Sequence, residues 1–209
     1  MKLYLVRHGE SEGNVGRFHQ TATEKLTQKG QSQAKVVAQR FRGIKVDTII
    51  ASTMTRAQQT AKEIAGAINK EIISEPLFAE VKHPSVVHGK PHSDNESNKI
   101  IRHIREHKAD PTFHYSDEEN YFDFLKRVEK GLATLEKYGE HEQIVVVAHG
   151  HVIRAITGII LFGTEFSARN FDQLVDHLHT DNTGVSIAEF TLDRGWVLIT
   201  YNDHSHLLD

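Results

Sequence analysis

Residues 143–148 read Gln-Ile-Val-Val-Val-Ala, an unbroken apolar run dominated by β-branched side chains. Successive side chains of a strand point to opposite faces, so a run without alternation requires cover on both faces. That is the situation of a central strand in a parallel sheet with helices above and below it. Shorter apolar runs at residues 2–6, 48–51 and 71–74 supply further strands. Helical patterns lie between them. Over residues 27–41, Thr27 can cap a helix whose Ala34, Val37, Ala38 and Phe41 share one face, and Gly43 stops it. Over residues 55–69, Ala57, Ala61, Ile64 and Ile68 form a similar stripe.

The second half repeats the alternation. Residues 119–138 carry Phe122, Leu125, Val128, Leu132 and Leu135 on one side of a helix, and residues 151–161 and 167–177 read as two more. Residues 184–191 and 196–201 flank Asp193-Arg194-Gly195 as a hairpin. Residues 82–117 differ in character: they are polar and rich in histidine, are broken by Pro84, Pro91 and Pro111, and hold one helix near residues 97–107. The expected fold is an α/β three-layer α/β/α sandwich with a mostly parallel central sheet, the hairpin making it mixed. The polar, partly helical segment at residues 82–117 is expected to form an insertion over one end of the sheet. A chain of 209 residues buries one full core, so residues 1–209 are read as a single domain.

Composition removes several function classes. With 25 Lys+Arg against 28 Asp+Glu the formal charge is -3, which gives no basic field for nucleic acid and no polybasic membrane anchor. The absence of cysteine excludes disulfides, thiolate zinc sites and a cysteine nucleophile. The N-terminal apolar run meets Arg7 and His8 too early for a signal peptide, and no stretch approaches a membrane span. A cytoplasmic location is expected; a homodimer is left open.

The unusual residues fall at strand ends. Arg7-His8-Gly9 follows the first strand, Ser52 and Arg56 follow the second, and His149-Gly150 follows the central run. Ligands of open α/β sheets bind outside the carboxyl ends of the strands, so these groups face one crevice. Two arginines and two histidines there suit a dianion: guanidinium forks hold two oxygens, and imidazole acts as a nucleophile toward phosphorus or, protonated, as a donor. Glycine after each histidine lets the backbone approach and present its N–H.

These residues stand in a pattern that resembles the histidine phosphatase superfamily, in the branch shared with cofactor-dependent phosphoglycerate mutase. The resemblance is carried by LVRHGESEGN at residues 5–14, ASTMTRAQQTA at residues 51–61 and VVAHGHVIR at residues 146–154. Leu26-Thr27 with Gly30 and Ala34, DNTGVSIAEF at residues 181–190 and the terminal YNDHSHL extend it over most of the chain. The resemblance implies that His8 becomes a phosphohistidine, that Arg7, Arg56 and His149 clamp the phosphoryl oxygens, and that Asn14 and the Gly150 N–H add contacts. It implies no cofactor and no metal, since fixed cations neutralise the transferred group. His8 must attack as a neutral ring, and surrounding positive charge lowers its pKa accordingly. Glu80, in EPLFAEVKHPS, matches the family's general acid, with its carboxyl expected to rise beside an incoming dianion; Glu75 is a rival five residues earlier.

The remaining histidines read as solvated or capping groups. His103 and His107 lie one helical turn apart, and His83, His88 and His92 crowd the insertion, but no HExxH pattern or carboxylate trio completes a zinc site. His151 sits beside the pocket, either touching substrate or opening the helix. Three functions follow: a phosphatase acting on a small phosphorylated substrate, a phosphoglycerate mutase, and a catalytically inactive binding domain. Four intact charged or imidazole groups argue against the last. The mutases of this superfamily carry an Arg-Arg pair and a Glu-Arg-His-Tyr-Gly segment around the acid; here Glu80 precedes Val81-Lys82-His83-Pro84, and no Arg-Arg pair occurs.

Overall fold

β1 (Lys2–Arg7) and the central run, which becomes β4, pair in parallel register from Lys2 with Gln143 to Arg7 with Ala148. The computed structural model describes residues 1–207; Leu208 and Asp209, the last two of the expected domain, lie outside the described residues. In chain order the elements are β1, α1 (Glu12–Gly16), α2 (Gln28–Phe41), β2 (Thr48–Ala51), α3 (Thr55–Ile68) and β3 (Ile72–Ser74). Then come α4 (Asn95–Glu106), α5 (Tyr121–Leu135), β4 (Gln143–Ala148), α6 (Gly150–Phe162), α7 (Ala168–His177), β5 (Val185–Thr191) and β6 (Gly195–Asp203). The sheet order is β3-β2-β4-β1-β5-β6, with the first four strands parallel and β5 antiparallel to both neighbours. This is the expected three-layer sandwich with a mixed sheet.

The lack of alternation in the central run is explained by its two faces. Ile144, Val146 and Ala148 join Leu3 and Leu5 in one core under α5, α6 and α7. Val145 and Val147 join Tyr4 and Val6 in the other, under α2 and α3. Phe41 and Phe124, one in each layer, are fully buried, and burying a side chain of this size contributes roughly 2 kcal/mol.

Helix ends follow local chemistry. Thr27 Oγ1 accepts from the Gly30 N–H at 3.0 Å, and Asn120 Oδ1 accepts from the Asp123 N–H at 2.9 Å. The second cap starts α5 at Tyr121 rather than at residue 119; its expected last turn, residues 136–138, tightens into a 3₁₀ turn. Asp94 caps α4 by accepting from the Ser97 N–H at 2.8 Å, so that helix begins two residues before the expected Ser97. The sequence pattern missed α1, a five-residue helix inside the RHG loop.

One contact fixes that loop against the sheet. A methyl group on Gly30 would stand 1.9 Å from the Glu10 carbonyl oxygen, and one on Gly9 would stand 2.5 Å from the Gly30 carbonyl oxygen. The Thr27 N–H also donates to the Glu10 carbonyl at 2.9 Å, and the Gly9 N–H to Thr60 Oγ1 at 3.0 Å. The start of α2 is therefore packed backbone to backbone on the residues that follow His8. Gly30→Ala is expected to lower the urea midpoint with an unchanged m-value, a loss of about 1–3 kcal/mol as in other overpacked sites. An unchanged midpoint would mean that the loop yields without cost.

Candidate active site

The ladder hydrogen bonds run one residue beyond the strands: the His8 N–H donates to Ala148 O and the Ser52 N–H to Val147 O, both at 3.0 Å. That carries His8, Ser52 and His149 off three adjacent strand ends in register. Arg7 is the last residue of β1, Arg56 lies in the first turn of α3, and His149 caps the N-terminus of α6. The structure thus brings Arg7, His8, Arg56, His149 and Gly150 together at one end of the sheet. His8, Arg56 and His149 are at most 3% exposed.

The protonation of His8 follows from its neighbours. Nδ1 stands 2.7 Å from the Gly9 carbonyl, which can only accept, so Nδ1 carries the ring proton. Nε2 is left with its lone pair, and the Arg56 Nε–H donates to it at 3.3 Å. Burial, then the neighbouring His149, Arg56 and Arg7, hold His8 well below the ordinary imidazole value. Burial and then Arg56 bring His149 down to about 3. The two rings lie 5.1 Å apart. His149 Nε2 is 2.8 Å from Ser52 Oγ. Arg7 Nε and His149 Nδ1 are buried without a hydrogen-bond partner among the described residues. Arg7 also donates to the Thr180 carbonyl, while Arg56 Nη1 donates to the Thr21 carbonyl at 2.9 Å and pairs with Glu24 at 3.7 Å. Buried, incompletely satisfied cationic and imidazole groups at a helix N-terminus have the chemistry to suit an anion with several oxygens.

Glu80 reaches the same end of the sheet. Its Oε1 accepts from its neighbour's Val81 N–H at 3.0 Å, and Oε2 from the His151 N–H at 3.2 Å, with His151 Nδ1 at 3.3 Å. Burial pushes the carboxyl up, but His151, His149 and these hydrogen bonds outweigh it and hold the group well below the usual carboxylate range. Glu75 does something else: its carboxylate accepts from the Leu77 N–H at 3.0 Å and caps the 3₁₀ turn at Pro76–Phe78. His151 stands in the first turn of α6, where its N–H and its ring both meet Glu80. Asn14 Oδ1 accepts from the Ser11 N–H at 3.1 Å and from Asn182 Nδ2 at 3.3 Å.

Two positioning residues escaped the sequence reading. Asn182 Nδ2 also donates to the His8 carbonyl at 2.9 Å, tying the β5 approach to the His8 loop. Arg127 of α5 donates from Nη1 to the Leu77 and Ala79 carbonyls, each at 2.8 Å, and grips Glu119 at 2.6 and 2.7 Å. The Lys82 N–H donates to the same Glu119 carboxylate at 3.1 Å, so one ion pair holds the chain on both sides of Glu80. Asn182 lies in the DNTGVSIAEF stretch without a role readable there, and the only signal for Arg127 is an arginine three residues after the apolar Phe124, which reads as a solvated charge.

The insertion histidines form ring contacts rather than a metal centre; among the described residues no three His, Asp or Glu side chains converge as metal ligands do. The His19 ring lies 4.7 Å from that of His92 and 5.7 Å from that of His83. His107 stacks on Phe113 at 4.4 Å and contacts the His103 ring at the same distance. The insertion is stitched to the α1 region by backbone bonds: Gly89 N–H to His19 O at 2.8 Å and His92 N–H to Arg17 O at 2.7 Å.

The model of the histidine phosphatase superfamily (branch 1) matches residues 3–204, and the chain belongs to that superfamily. It is 32% identical over 215 residues, covering 99% of this chain and 95% of the relative, to "Probable phosphoglycerate mutase GpmB" of Enterobacter sp. (strain 638). It is also 32% identical to "Phosphoserine phosphatase 1" of Hydrogenobacter thermophilus over 75% of this chain and 74% of that one. Among solved structures, YhfR of Bacillus stearothermophilus superposes with a TM-score of 0.85 at 24% identity, covering 99% and 98% of the two chains. No helix among the described residues is long and apolar enough to cross a membrane.

The buried neutral histidines have a thermodynamic consequence. Unfolded histidine titrates near 6.5, whereas folded His8 and His149 refuse protons until far lower pH. Below pH 6.5 the unfolded chain binds protons that the folded chain does not, so acidification lowers stability. The loss approaches ~1.4 kcal/mol per pH unit for each such ring. His8→Asn is expected to flatten the dependence of unfolding free energy on pH by about one proton between roughly pH 5.5 and 4.5. A slope equal to that of the wild type would show that folded His8 takes up its proton in that range.

Proposed function

We propose that the chain is a phosphomonoester phosphatase that carries the phosphoryl group on His8 Nε2. The observation that carries this reading is the 2.7 Å contact between His8 Nδ1 and the Gly9 carbonyl, which assigns the ring proton to Nδ1 and leaves a lone pair on Nε2 among cationic groups. Arg7, Arg56, His149 and the Gly150 N–H bind the three equatorial oxygens, with Asn14 at their edge. The Nε2 lone pair forms the P–N bond as the P–O bond to the leaving group breaks. Glu80 supplies the proton that the departing oxygen needs. Its depressed carboxyl is set by His151 and His149, and a phosphate dianion arriving beside it opposes that field and favours the protonated form. In the second half-reaction Glu80 takes a proton from water, whose oxygen displaces His8 and releases inorganic phosphate.

Water is favoured over a second hydroxyl as acceptor. A mutase has to hold a bisphosphate while it reorients, and that requires unpaired cations beyond the phosphoryl site. Here Lys82 pairs with Asp117 at 3.2 Å, Lys99 with Glu96 at 2.7 Å, Arg127 with Glu119 and Lys108 with Asp172; Arg102 and Arg105 of α4 have no ion pair among the described residues, but both are exposed and neither is fixed by a partner. The relatives named as phosphoserine phosphatase fit a hydrolase, and those named as phosphoglycerate mutase make the comparison worth measuring directly.

His8→Ala is expected to abolish turnover, and quenched wild type to yield an acid-labile, base-stable phosphoenzyme; an active alanine variant sinks the mechanism. Glu80→Gln should slow alkyl phosphates by roughly 10²–10⁴-fold while sparing aryl phosphates, whose leaving group departs without a proton. The same selective loss at Glu75→Gln would move the acid there. Phosphate release should exceed conversion of 3- to 2-phosphoglycerate on one preparation, with or without bisphosphoglycerate and after chelation. The reverse ratio would make the protein a mutase.

A further inference from the structure

Val81 and His83 follow closely on Glu80 in sequence, and the His151 N–H holds its carboxylate. All three also line a cleft of about 140 Å³ that opens between the insertion and the α5–α7 layer. Its opposite walls are Ile101 and Ile104 of α4, Tyr121 and Phe124 of α5, and Phe171 and Val175 of α7. A cleft that shares residues with the proton donor of a phosphoryl-transfer site lies where the leaving group goes.

The lining charges cancel. Lys82, Arg105 and Lys108 are matched by Glu118, Glu119 and Asp172. Most of these are already engaged: Lys108 binds Asp172 and lies 4.8 Å from the centre of the Phe171 ring, and Glu119 is held by Arg127. Glu118 accepts from the Ser116 N–H at 2.8 Å. Among the lining cations only Arg105 has no carboxylate partner among the described residues, and it is exposed to water, so a charged leaving group gains little to offset the water it loses on entering. An uncharged apolar group gains burial against two isoleucines, two valines and three aromatic rings. The volume sets the size, since a cavity of about 150 Å³ accepts a benzene-sized ring.

We infer that the cleft bounded by Ile101, Ile104, Phe124 and Phe171 is the leaving-group site, and that it selects phosphomonoesters of uncharged, apolar alcohols about one six-membered ring in size. This rests on the phosphatase reading and narrows it to a substrate class. It sets the chain apart from a preference for amino-acid or hydroxy-acid phosphates.

The test compares benzyl phosphate with ethyl phosphate and phosphoserine, whose scissile bonds are all to primary alkoxides. Benzyl phosphate is expected to show the highest kcat/KM, roughly 10- to 100-fold above the other two. Ile104→Glu on α4 and Val175→Glu on α7, both on partly buried helix faces, should each remove most of that advantage. They should leave ethyl phosphate within about twofold. Calorimetry of benzylphosphonate against ethylphosphonate reads the same difference without turnover, with the benzyl preference lost in both variants. If all three esters are hydrolysed equally, or the variants slow benzyl and ethyl phosphate alike, the cleft is not the leaving-group site and the phosphatase reading stands. If no ester is hydrolysed, that reading fails, and the phosphonate titration still decides whether the cleft binds apolar groups.

Discussion

The structure depends on keeping His8 neutral in the middle of positive charge. A buried imidazole surrounded by Arg7, Arg56 and His149 cannot hold a second proton, because burial and three cationic or titratable neighbours all act against it. The Gly9 carbonyl then decides which nitrogen keeps the one proton that remains. These two effects together convert a weak base into an oriented lone pair. They also leave buried donors, Arg7 Nε and His149 Nδ1, without partners among the described residues. Such a centre opposes folding, and the apolar layers on both faces of β4 must offset it. The flanking cores explain why the strands that carry the site are so uniformly buried.

Parallel strand order turns that chemistry into a site. β2, β4 and β1 are neighbours and point the same way, so residues that follow them emerge at one edge. Ser52 and His149 meet at 2.8 Å although 97 residues separate them. The helices starting there add their N-terminal N–H groups; α6 begins at Gly150, whose missing side chain leaves room for the Arg154 and Arg7 guanidinium groups. Backbone contact between Gly9 and Gly30 then fixes the His8 loop from the other side of the sheet.

What could be read from the sequence follows from the range of the forces involved. The strands, α2, α3 and α6 were legible because period and capping are local, and Arg7, His8, Arg56 and His149 because they sit at strand ends in runs of recognisable order. Glu80 was placed by the resemblance, and the contacts that fix it were invisible. His151, Arg127 and Glu119 meet it from residues 39 to 71 positions away, through bonds to main-chain carbonyls and N–H groups that carry no sequence signal. α1 escaped because Gly-rich, polar EGNVG has no apolar stripe; its start is held by the Ser11–Asn14 box. The helix of the insertion is legible near residues 97–107, whereas its start at Asn95 depends on the Asp94 cap.

If Glu80 is the proton donor proposed above, the placement of its carboxylate couples chemistry to selectivity. Glu80 does not sit on a strand or helix: it lies between a 3₁₀ turn and the insertion, and its position is inherited from the Arg127–Glu119 pair gripping Leu77, Ala79 and Lys82. Both members of that pair are on or next to the first turns of α5, the helix that also forms a wall of the apolar cleft. A change in the insertion that widens the cleft therefore pulls on the same ion pair that aims the carboxylate. A displacement of 1 Å at a proton donor is enough to cost about 10²-fold in rate. New leaving groups can then be accommodated only by side chains, such as Ile101 and Ile104 of α4, that touch the cleft without touching the clamp. On the proposed reading, selectivity is accordingly free to vary on α4 and constrained on α5.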